Sequence, residues 1–318
     1  MTPASLHGVV PILMTPVLED GEIAWDDLRR EVDFLIAQSV TAYGFGFGSE
    51  VFRLTEAERD AALEVVVRQT AGRGHVIANV LAGSTRAAVE RAEAARAIGA
   101  DALMIPPPAF SAPDPQALFH HYETVARTVG SPIIVQDAPG MSGIELSPEL
   151  LLRLSHEIEQ VVALKVEAEP SAPKIGRIVR GLDSDVAVLG GGAGLDLLHE
   201  LERGAQGTMP GAALADAFLR VWRLHREERP KEARRVFERL LPLLVLGTRS
   251  LDTFLFVEKE ILRRRGVFST ARLRLPALPP EPELGAELDR LLDALDFLQP
   301  TDADLVDGKP HDLTSEVI

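Results

Sequence analysis

Short aliphatic runs alternate with amphipathic stretches from residue 8 to about residue 210 of this 318-residue chain. Each run is followed by Gly, Pro or Ser and then by a segment rich in Ala, Leu, Arg and Glu. The runs lie at residues 8–14, 41–48, 75–82, 101–107, 132–138, 161–167, 186–192 and 207–211. Eight strand-like runs, each followed by a helical one, predict an α/β fold, a (β/α)8 TIM barrel. The eighth run, GTMPG, is short, and its assignment depends mainly on the count.

A doubly wound open sheet is the main alternative for such an alternation. That fold would place a Gly-x-Gly-x-x-Gly turn after a strand, with an acidic residue about 20 positions further on. The glycine-rich segments GFGFGSE (44–50) and GGGAG (190–194) do not provide this combination. The barrel is therefore favoured.

The chain changes character beyond residue 212, where the pattern becomes wholly helical. A Pro-rich segment, LPALPPEPEL (275–284), precedes the last helical stretch, and the end of the chain is acidic with little apolar periodicity. We therefore predict a barrel over residues 1–225, a C-terminal helical subdomain over 226–298 and a loosely ordered acidic tail over 299–318.

Charge and residue counts exclude several classes of function. The chain carries 33 Lys+Arg against 48 Asp+Glu, a formal net charge of −15, so no nucleic-acid partner is expected. It contains no cysteine, which excludes disulfides, thiolate metal sites and cysteine nucleophiles. Its eight histidines show no His-x3-His spacing, so no metal site is predicted. No uncharged apolar run reaches about 18 residues and the N-terminus lacks a basic signal-peptide segment, so we expect a cytoplasmic protein with no membrane partner.

A lysine stands out within the sixth run. Only five of the basic residues are lysines, and one of them, Lys165, lies in the apolar segment VVALKVEA (161–168). A strand period of two puts Lys165 and Glu167 on one face with Val161 and Ala163, and the larger aliphatic side chains on the other. The aliphatic face suits packing against helices. Lys165 and Glu167 are therefore expected to point into the barrel near the C-terminal end of the strand, where barrel active sites are built.

Two roles fit this lysine. Burial without a full counter-charge lowers the pKa of an ammonium and gives a nucleophilic amine, which Schiff-base chemistry on a ketone requires and which arginine cannot supply. Glu167 would then be the general acid/base. Alternatively, Lys165 and Glu167 form only a buried salt bridge. Spacing alone supports both roles equally, whereas the apolar context and the position in the chain favour catalysis.

These segments, in this order, resemble the dihydrodipicolinate synthase / N-acetylneuraminate lyase family of class I Schiff-base barrels, which bind pyruvate or other 2-keto acids. The resemblance runs from about residue 5 to 297. It is carried by GVVPILMTPV (8–17), GFGSEVFRLTEAER (46–59), VQDAP (135–139) and VALKVEA (162–168). It implies a covalent Schiff base on Lys165 without any other cofactor, a small-molecule 2-keto acid as partner, and a homotetramer.

The sequence departs from the best-known members of that family in its tyrosines. Their Tyr-Asn-x-Pro motif is replaced by Gln-Asp-Ala-Pro at 136–139, and the segment PPPAF (106–110) lacks the tyrosine that they contribute across a subunit interface. The only tyrosines, Tyr43 and Tyr122, lie elsewhere in the pattern, so the phenolic proton relay of the synthases and aldolases is expected to be absent. Met141 occupies the region where the lysine-biosynthetic synthase has an arginine. These departures disfavour dihydrodipicolinate synthesis.

A dehydratase branch of the family, typified by L-2-keto-3-deoxyarabonate dehydratase, is similar in these places. It shares Ser49–Glu50 after strand two, Gln-Asp-Ala-Pro after strand five and Lys-x-Glu on strand six, and there the glutamate replaces the tyrosine in proton transfer. The resemblance implies that Lys165 and Glu167 are catalytic, and that the chain is a hydro-lyase that converts a 2-keto-3-deoxy sugar acid to a semialdehyde. Two alternatives remain: a pyruvate-dependent aldolase or dihydrodipicolinate synthase-type enzyme, and a non-catalytic keto-acid-binding barrel.

Five residues are predicted to bind substrate. Gly48 and Ser49 offer backbone N–H groups and a hydroxyl to a carboxylate, although the glycines could serve only to permit a tight turn. Gln136 ends its strand facing the mouth, as a substrate contact or as a polar strand terminus. Gly190 and Gly191 end strand seven and either leave room for a ligand or mark a bulge.

Overall fold

The predicted (β/α)8 barrel is confirmed by the computed structural model, which describes residues 1–2, 6–108, 113–183, 185–278, 280–293 and 295. The strands are β1 (Gly8–Val9), β2 (Ala42–Gly44), β3 (His75–Asn79), β4 (Ala102–Ile105), β5 (Ile133–Asp137), β6 (Val161–Val166), β7 (Ala187–Gly190) and β8 (Gly207–Thr208). They form one parallel sheet in the order β1-β8-β7-β6-β5-β4-β3-β2. A parallel bridge between Ile12 and Gly44 brings the chain after β1 beside β2, so the two ends of the sheet meet.

Helices surround the strands and then continue beyond them. They are α1 (Trp25–Ala37), α2 (Glu56–Thr70), α3 (Thr85–Ile98), α4 (Pro115–Val129), α5 (Pro139–Ser142), α6 (Pro148–Glu157), α7 (Ser171–Gly181), α8 (Leu197–Leu201), α9 (Ala215–Arg226), α10 (Pro230–Gly247), α11 (Leu251–Arg264) and α12 (Pro282–Asp293). Several begin at a side-chain cap: Thr55 accepts a hydrogen bond from the N–H of Glu58, and Ser147 accepts one from Leu150. These caps fix where the chain leaves the loops at the mouth of the barrel.

Side chains of each strand alternate between the barrel interior and the layer between strands and helices. The interior is filled by small and aliphatic side chains, namely Leu6, Val10, Ile12, Ala42, Ile77, Ala102, Met104, Ile134, Ala163, Ala187, Leu189 and Met209. The outer layer is larger and joins the strands to the helices around them. Because Ala163 belongs to the interior, Lys165, two residues further along β6, also points inward above this apolar floor.

The predicted alternation is wrong at the start of β6. Val161 packs in the outer layer and Val162 packs against interior side chains, the reverse of the expectation. The cause is a register shift, since Ile133 pairs with Val161 but Ile134 pairs with Ala163. The alternation holds from Ala163 onward, so the shift leaves Lys165 inside the barrel.

The helices after the barrel pack partly on its mouth. The ring of Phe254 on α11 lies against the 3₁₀ turn Phe47–Ser49, and a Cβ on Gly48 would be 3.2 Å from it. The predicted division between residues 225 and 226 falls in the last turn of α9 and stays a prediction, and the predicted tail, 299–318, lies outside the described residues. Among the helices of the described residues, none is long and apolar enough to span a bilayer.

Candidate active site

Lys165 and Glu167 meet at the C-terminal end of β6. Lys165 is 3% exposed, and its Nζ lies 3.1 Å from Oε1 of Glu167. The salt bridge considered from the sequence is therefore present. An amine and a carboxylate in direct contact inside a barrel mouth can also act together on a bound ketone, so the contact suits both roles.

Three further contacts hold the Glu167 side chain and its backbone. Nε2 of Gln136 donates a 2.8 Å hydrogen bond to Oε2, and the N–H of Gly192 donates a 3.1 Å bond to Oε1. The Glu167 N–H donates to the carbonyl of Asp137 at 2.8 Å. Both carboxylate oxygens thus have fixed donors, and the carboxylate is aimed at Lys165 with little rotational freedom.

Gln136 lies beside Lys165, since the two residues are register partners on β5 and β6. Its side chain is fully buried, and its Oε1 has no hydrogen-bond partner within the described residues. One end of the amide therefore orients Glu167, while the other is an acceptor available at the site.

The two glycines predicted to leave room for a ligand or to mark a bulge each lie against a glutamate. A Cβ on Gly191 would lie 2.4 Å from Cγ of Glu167, so only glycine lets that side chain lie flat on the end of β7. A Cβ on Gly190 would lie 1.8 Å from Oε2 of Glu200, on the outer side of the strand. Gly191 borders the site, whereas Gly190 accommodates a buried carboxyl behind it.

Ser49 is already engaged by its own loop. Its hydroxyl donates to the carbonyl of Leu13 and accepts from the N–H of Gly46, and its carbonyl accepts a 2.6 Å bond from the hydroxyl of Thr15. Its own N–H donates to the carbonyl of Gly46 at 3.0 Å. Ser49 therefore ties the chain that follows β1 to the turn after β2, and a substrate bond from its hydroxyl would have to replace one of these contacts.

Two buried ion pairs brace the mouth, and sequence reasoning missed both. Glu50 is fully buried with φ +56° and pairs with Lys259 of α11, which is also fully buried and whose pKa is lowered by burial. Asp137 pairs with Lys174 of α7 at 2.7 Å. The scarcity of lysines in the sequence could have pointed to them, because three of the four lysines within the described residues are buried. Of these three buried lysines, Lys165 is on a strand and faces the barrel interior, whereas the other two are on helices.

Glu200 is a further buried carboxyl that the sequence did not reveal. Ser171 donates a 2.7 Å hydrogen bond to its Oε1, and its Oε2 has no partner among the described residues. Burial is the largest cause that raises the pKa of Glu200, to about 8. Smaller contributions come from the nearby carboxylates of Asp196, Glu169 and Glu167. The side chain is thus an uncharged acid at neutral pH.

Glu200→Gln should make stability less dependent on pH. The folded protein keeps this proton up to about pH 8, whereas the unfolded chain releases it near the ordinary value of 4.5, so the native protein loses stability as the pH rises through that interval. We expect the free energy of unfolding of the variant, minus that of the native protein, to increase with pH across this interval and to level off above it. Urea unfolding at a series of pH values measures this difference. Glu202→Gln, at a half-exposed residue paired with Arg234, is the control, and equal pH dependence in both variants would contradict the prediction.

Comparisons with known proteins identify the family of the chain. The sequence model of the dihydrodipicolinate synthetase family matches residues 5–295. The chain belongs to this family. It is 32% identical over 298 residues to L-2-keto-3-deoxyarabonate dehydratase of Azospirillum brasilense, covering 92% of this chain and 95% of that protein. It is 30% identical over 285 residues to 4-hydroxy-tetrahydrodipicolinate synthase of Porphyromonas gingivalis, covering 87% and 93%.

Solved structures of the dihydrodipicolinate synthetase family share the fold. The dihydrodipicolinate synthase of Rhodopseudomonas palustris superposes with a TM-score of 0.86 at 26% identity, covering 92% of this chain and 99% of that one. Members of the family are lyases that join a lysine to pyruvate as a Schiff base and use no metal. Within the part of the chain that the structure describes, no three His, Asp or Glu side chains are grouped to hold a metal ion.

Both tyrosines of this family member lie away from Lys165. Tyr43 is fully buried in the outer layer, where its hydroxyl lies 2.8 Å from that of Thr70. Tyr122, on α4, is buried in the same layer and donates to the carbonyl of Ile105. Neither phenol projects into the barrel interior, and the carboxylate of Glu167 is the side chain that contacts the amine of Lys165.

Proposed function

We propose that this member of the dihydrodipicolinate synthetase family is a hydro-lyase that dehydrates a 2-keto-3-deoxy sugar acid, such as 2-keto-3-deoxyarabonate, to a semialdehyde. The observation that carries the proposal is the 3.1 Å contact between Lys165 and Glu167 at a mouth into which neither tyrosine projects. The 32% identity to L-2-keto-3-deoxyarabonate dehydratase supports it. The proposed catalytic residues are Lys165 and Glu167.

The chemistry begins with the free amine of Lys165. It attacks the C2 ketone and expels that oxygen as water, which leaves a cationic iminium. The positive charge acidifies the C3 protons, and the Glu167 carboxylate removes one to give the enamine. The enamine electron pair expels the C4 hydroxide, which takes the proton from Glu167 and departs as water. Proton shifts and hydrolysis of the remaining iminium release the semialdehyde and restore the amine.

The other predicted site residues have supporting roles in this proposal. Gln136 holds Glu167 with its Nε2 and offers Oε1 to the substrate, and Gly191 gives Glu167 the room to reach Lys165. The turn at Gly48 would receive the substrate carboxylate, with Ser49 keeping that turn in place. Gly190 acts indirectly, by making space for Glu200.

A retro-aldol or synthase reaction is the alternative that the 30% identical 4-hydroxy-tetrahydrodipicolinate synthase favours. Cleavage between C3 and C4 requires a base at the C4 hydroxyl. The arrangement around Lys165 offers the carboxylate of Glu167, which is oriented for C3 in the proposed mechanism. Dehydration uses that carboxylate at C3 and returns its proton to the departing C4 hydroxide, so Lys165 and Glu167 suffice for it.

The proposed function is tested in two steps. Incubation with pyruvate and borohydride, followed by peptide mass spectrometry, should place a reduced adduct on Lys165. Turnover of 2-keto-3-deoxypentonate should then yield semialdehyde. Absence of the adduct would reject an enzyme of this class and favour the non-catalytic barrel, and pyruvate as the main product would reject dehydration in favour of aldol cleavage.

The oligomeric state belongs to the same proposal. We propose the homotetramer that the family resemblance implies. Sedimentation equilibrium of the purified chain would test it, and a monomer at micromolar concentration would reject it.

A further inference from the structure

Asn79 is the only asparagine in the chain. It is the last residue of β3, which is otherwise apolar after its first residue. Val76 and Ala78 pack in the outer layer, whereas Ile77 packs in the barrel interior. The alternation of side chains along a strand assigns Asn79 to the interior face, with its register partner Met104 on β4, and the residue also borders a small cavity between the strands and helices α2 and α3. The polar side chain therefore stands on an apolar wall of the barrel.

The strand register fixes the height of Asn79 relative to Lys165. Lys165 is the register partner of Gln136. The row of register partners that starts there, followed from β5 to β4 and then to β3, reaches the position two residues beyond Asn79. Because the strands of an eight-stranded barrel are tilted, a row of register partners shifts along the barrel axis by about one residue with each strand. After three strands the residue at the height of Lys165 lies about three positions back, next to Asn79. Asn79 thus faces the level at which a Schiff base on Lys165 would form.

The direction of that climb follows from Ile12, which pairs with Gly44 on one side and Gly211 on the other. The row of register partners that starts at Gly211 and crosses β7, β6, β5, β4 and β3 ends on the β2 side about eight residues beyond Gly44. A row followed from β8 towards β2 therefore shifts towards the C-terminal ends of the strands, at the mouth of the barrel. Asn79 therefore lies slightly nearer the mouth than Lys165, on the opposite wall.

The amide of Asn79 lacks protein partners. The residue is 7% exposed, and neither Nδ2 nor Oδ1 has a hydrogen-bond partner among the described residues. A buried polar group without a partner costs about 1–3 kcal/mol, so such groups are normally satisfied by a ligand or an ordered water. An amide offers a donor and an acceptor side by side, which is the pairing that a hydroxyl group satisfies.

We propose that Asn79 binds a hydroxyl group of the substrate chain and makes the site selective for hydroxylated 2-keto acids. The inference rests on the proposed function, because Lys165 is taken to hold the C2 end of the substrate. The C4 and C5 hydroxyls of a 2-keto-3-deoxy sugar acid would then extend across the barrel towards β3. Pyruvate, which has no hydroxyl, ends before it reaches this wall.

The test compares two ligands on one readout. Borohydride trapping on Lys165 is measured over a range of concentrations of pyruvate and of 2-keto-3-deoxypentonate, for the native protein and for Asn79→Leu, which keeps the shape of the side chain. We expect the half-saturating concentration of the hydroxylated acid to rise about tenfold in the variant, as loss of one well-formed hydrogen bond gives. The value for pyruvate should change less than about twofold.

Thr208→Val is the matched control. The hydroxyl of Thr208 is also buried without a partner in the described residues, but Thr208 pairs with Gly190 and faces the outer layer as that glycine does. Its replacement should leave both concentrations unchanged. An equal rise for pyruvate in Asn79→Leu would assign Asn79 to the structure of the barrel, and no rise for either acid would show that it does not touch substrate. Both results overturn the inference while leaving the proposed function intact, whereas a native protein that traps neither acid overturns both.

Discussion

Lys165→Arg should abolish trapping of pyruvate and lower turnover by roughly 10⁴-fold or more, in the range seen when a covalent nucleophile is removed. Arginine keeps the positive charge and can still pair with Glu167, but it does not deprotonate and cannot form a Schiff base. The variant therefore separates the two roles that the 3.1 Å contact permits. Trapping by mass spectrometry and turnover of the keto-deoxy acid are the two measurements.

The controls for this prediction are the other lysines. Lys174 and Lys259 are buried and ion-paired, and Lys231 is exposed on α10, so peptide mapping of the native adduct should find none of the three labelled. Unchanged turnover in Lys165→Arg, with a normal unfolding midpoint, would mean that the lysine serves only the salt bridge. An adduct on Lys259 in place of Lys165 would move the proposed chemistry to α11.

The barrel and the position of Lys165 could be predicted from sequence because both depend on local pattern. The alternation of runs and helices repeats eight times, and one charged residue in an aliphatic strand has to face inward or be paired. The register shift at Val161–Val162 could not be predicted, since it arises from pairing with β5, which is about 28 residues away in sequence. It did not disturb the prediction for Lys165, because the alternation resumes before that residue.

The partners of the site were harder to predict than its centre. Glu50 and Lys259 are 209 residues apart, so their pairing is a property of how α11 docks on the mouth. The sequence shows Gly190 and Gly191 as glycines at the end of a strand, but it does not show which side chains lie against them. Those side chains are Glu200 of α8 and Glu167 at the end of β6. Asn79 resembles Lys165 in being a rare residue type within an apolar strand. A count of asparagines in the sequence therefore indicates this position.

Glu167→Gln should separate formation of the Schiff base from proton transfer. Glutamine has the same shape, and its oxygen can still accept from the N–H of Gly192, whereas its NH₂ group can bond Gln136 only if that amide turns to offer its oxygen. It cannot take a proton from C3. We expect trapping of pyruvate on Lys165 to persist while kcat for the keto-deoxy acid falls by about 10²–10⁴-fold, the usual contribution of a general acid/base. A more direct measurement is exchange of the pyruvate methyl protons in D₂O, followed by proton NMR, because that exchange requires the same removal of a proton from C3.

Glu169→Gln is the matched control for the exchange measurement, since Glu169 lies two residues further along the chain and is exposed. It should exchange the methyl protons at the native rate, whereas Glu167→Gln should exchange them at least about 100-fold more slowly. Native exchange in Glu167→Gln would reduce Glu167 to an ion-pair partner and leave the proton transfer to water. Loss of trapping together with loss of exchange would instead mean that the carboxylate is needed to make the amine of Lys165 reactive, because the step it serves would then precede removal of the C3 proton.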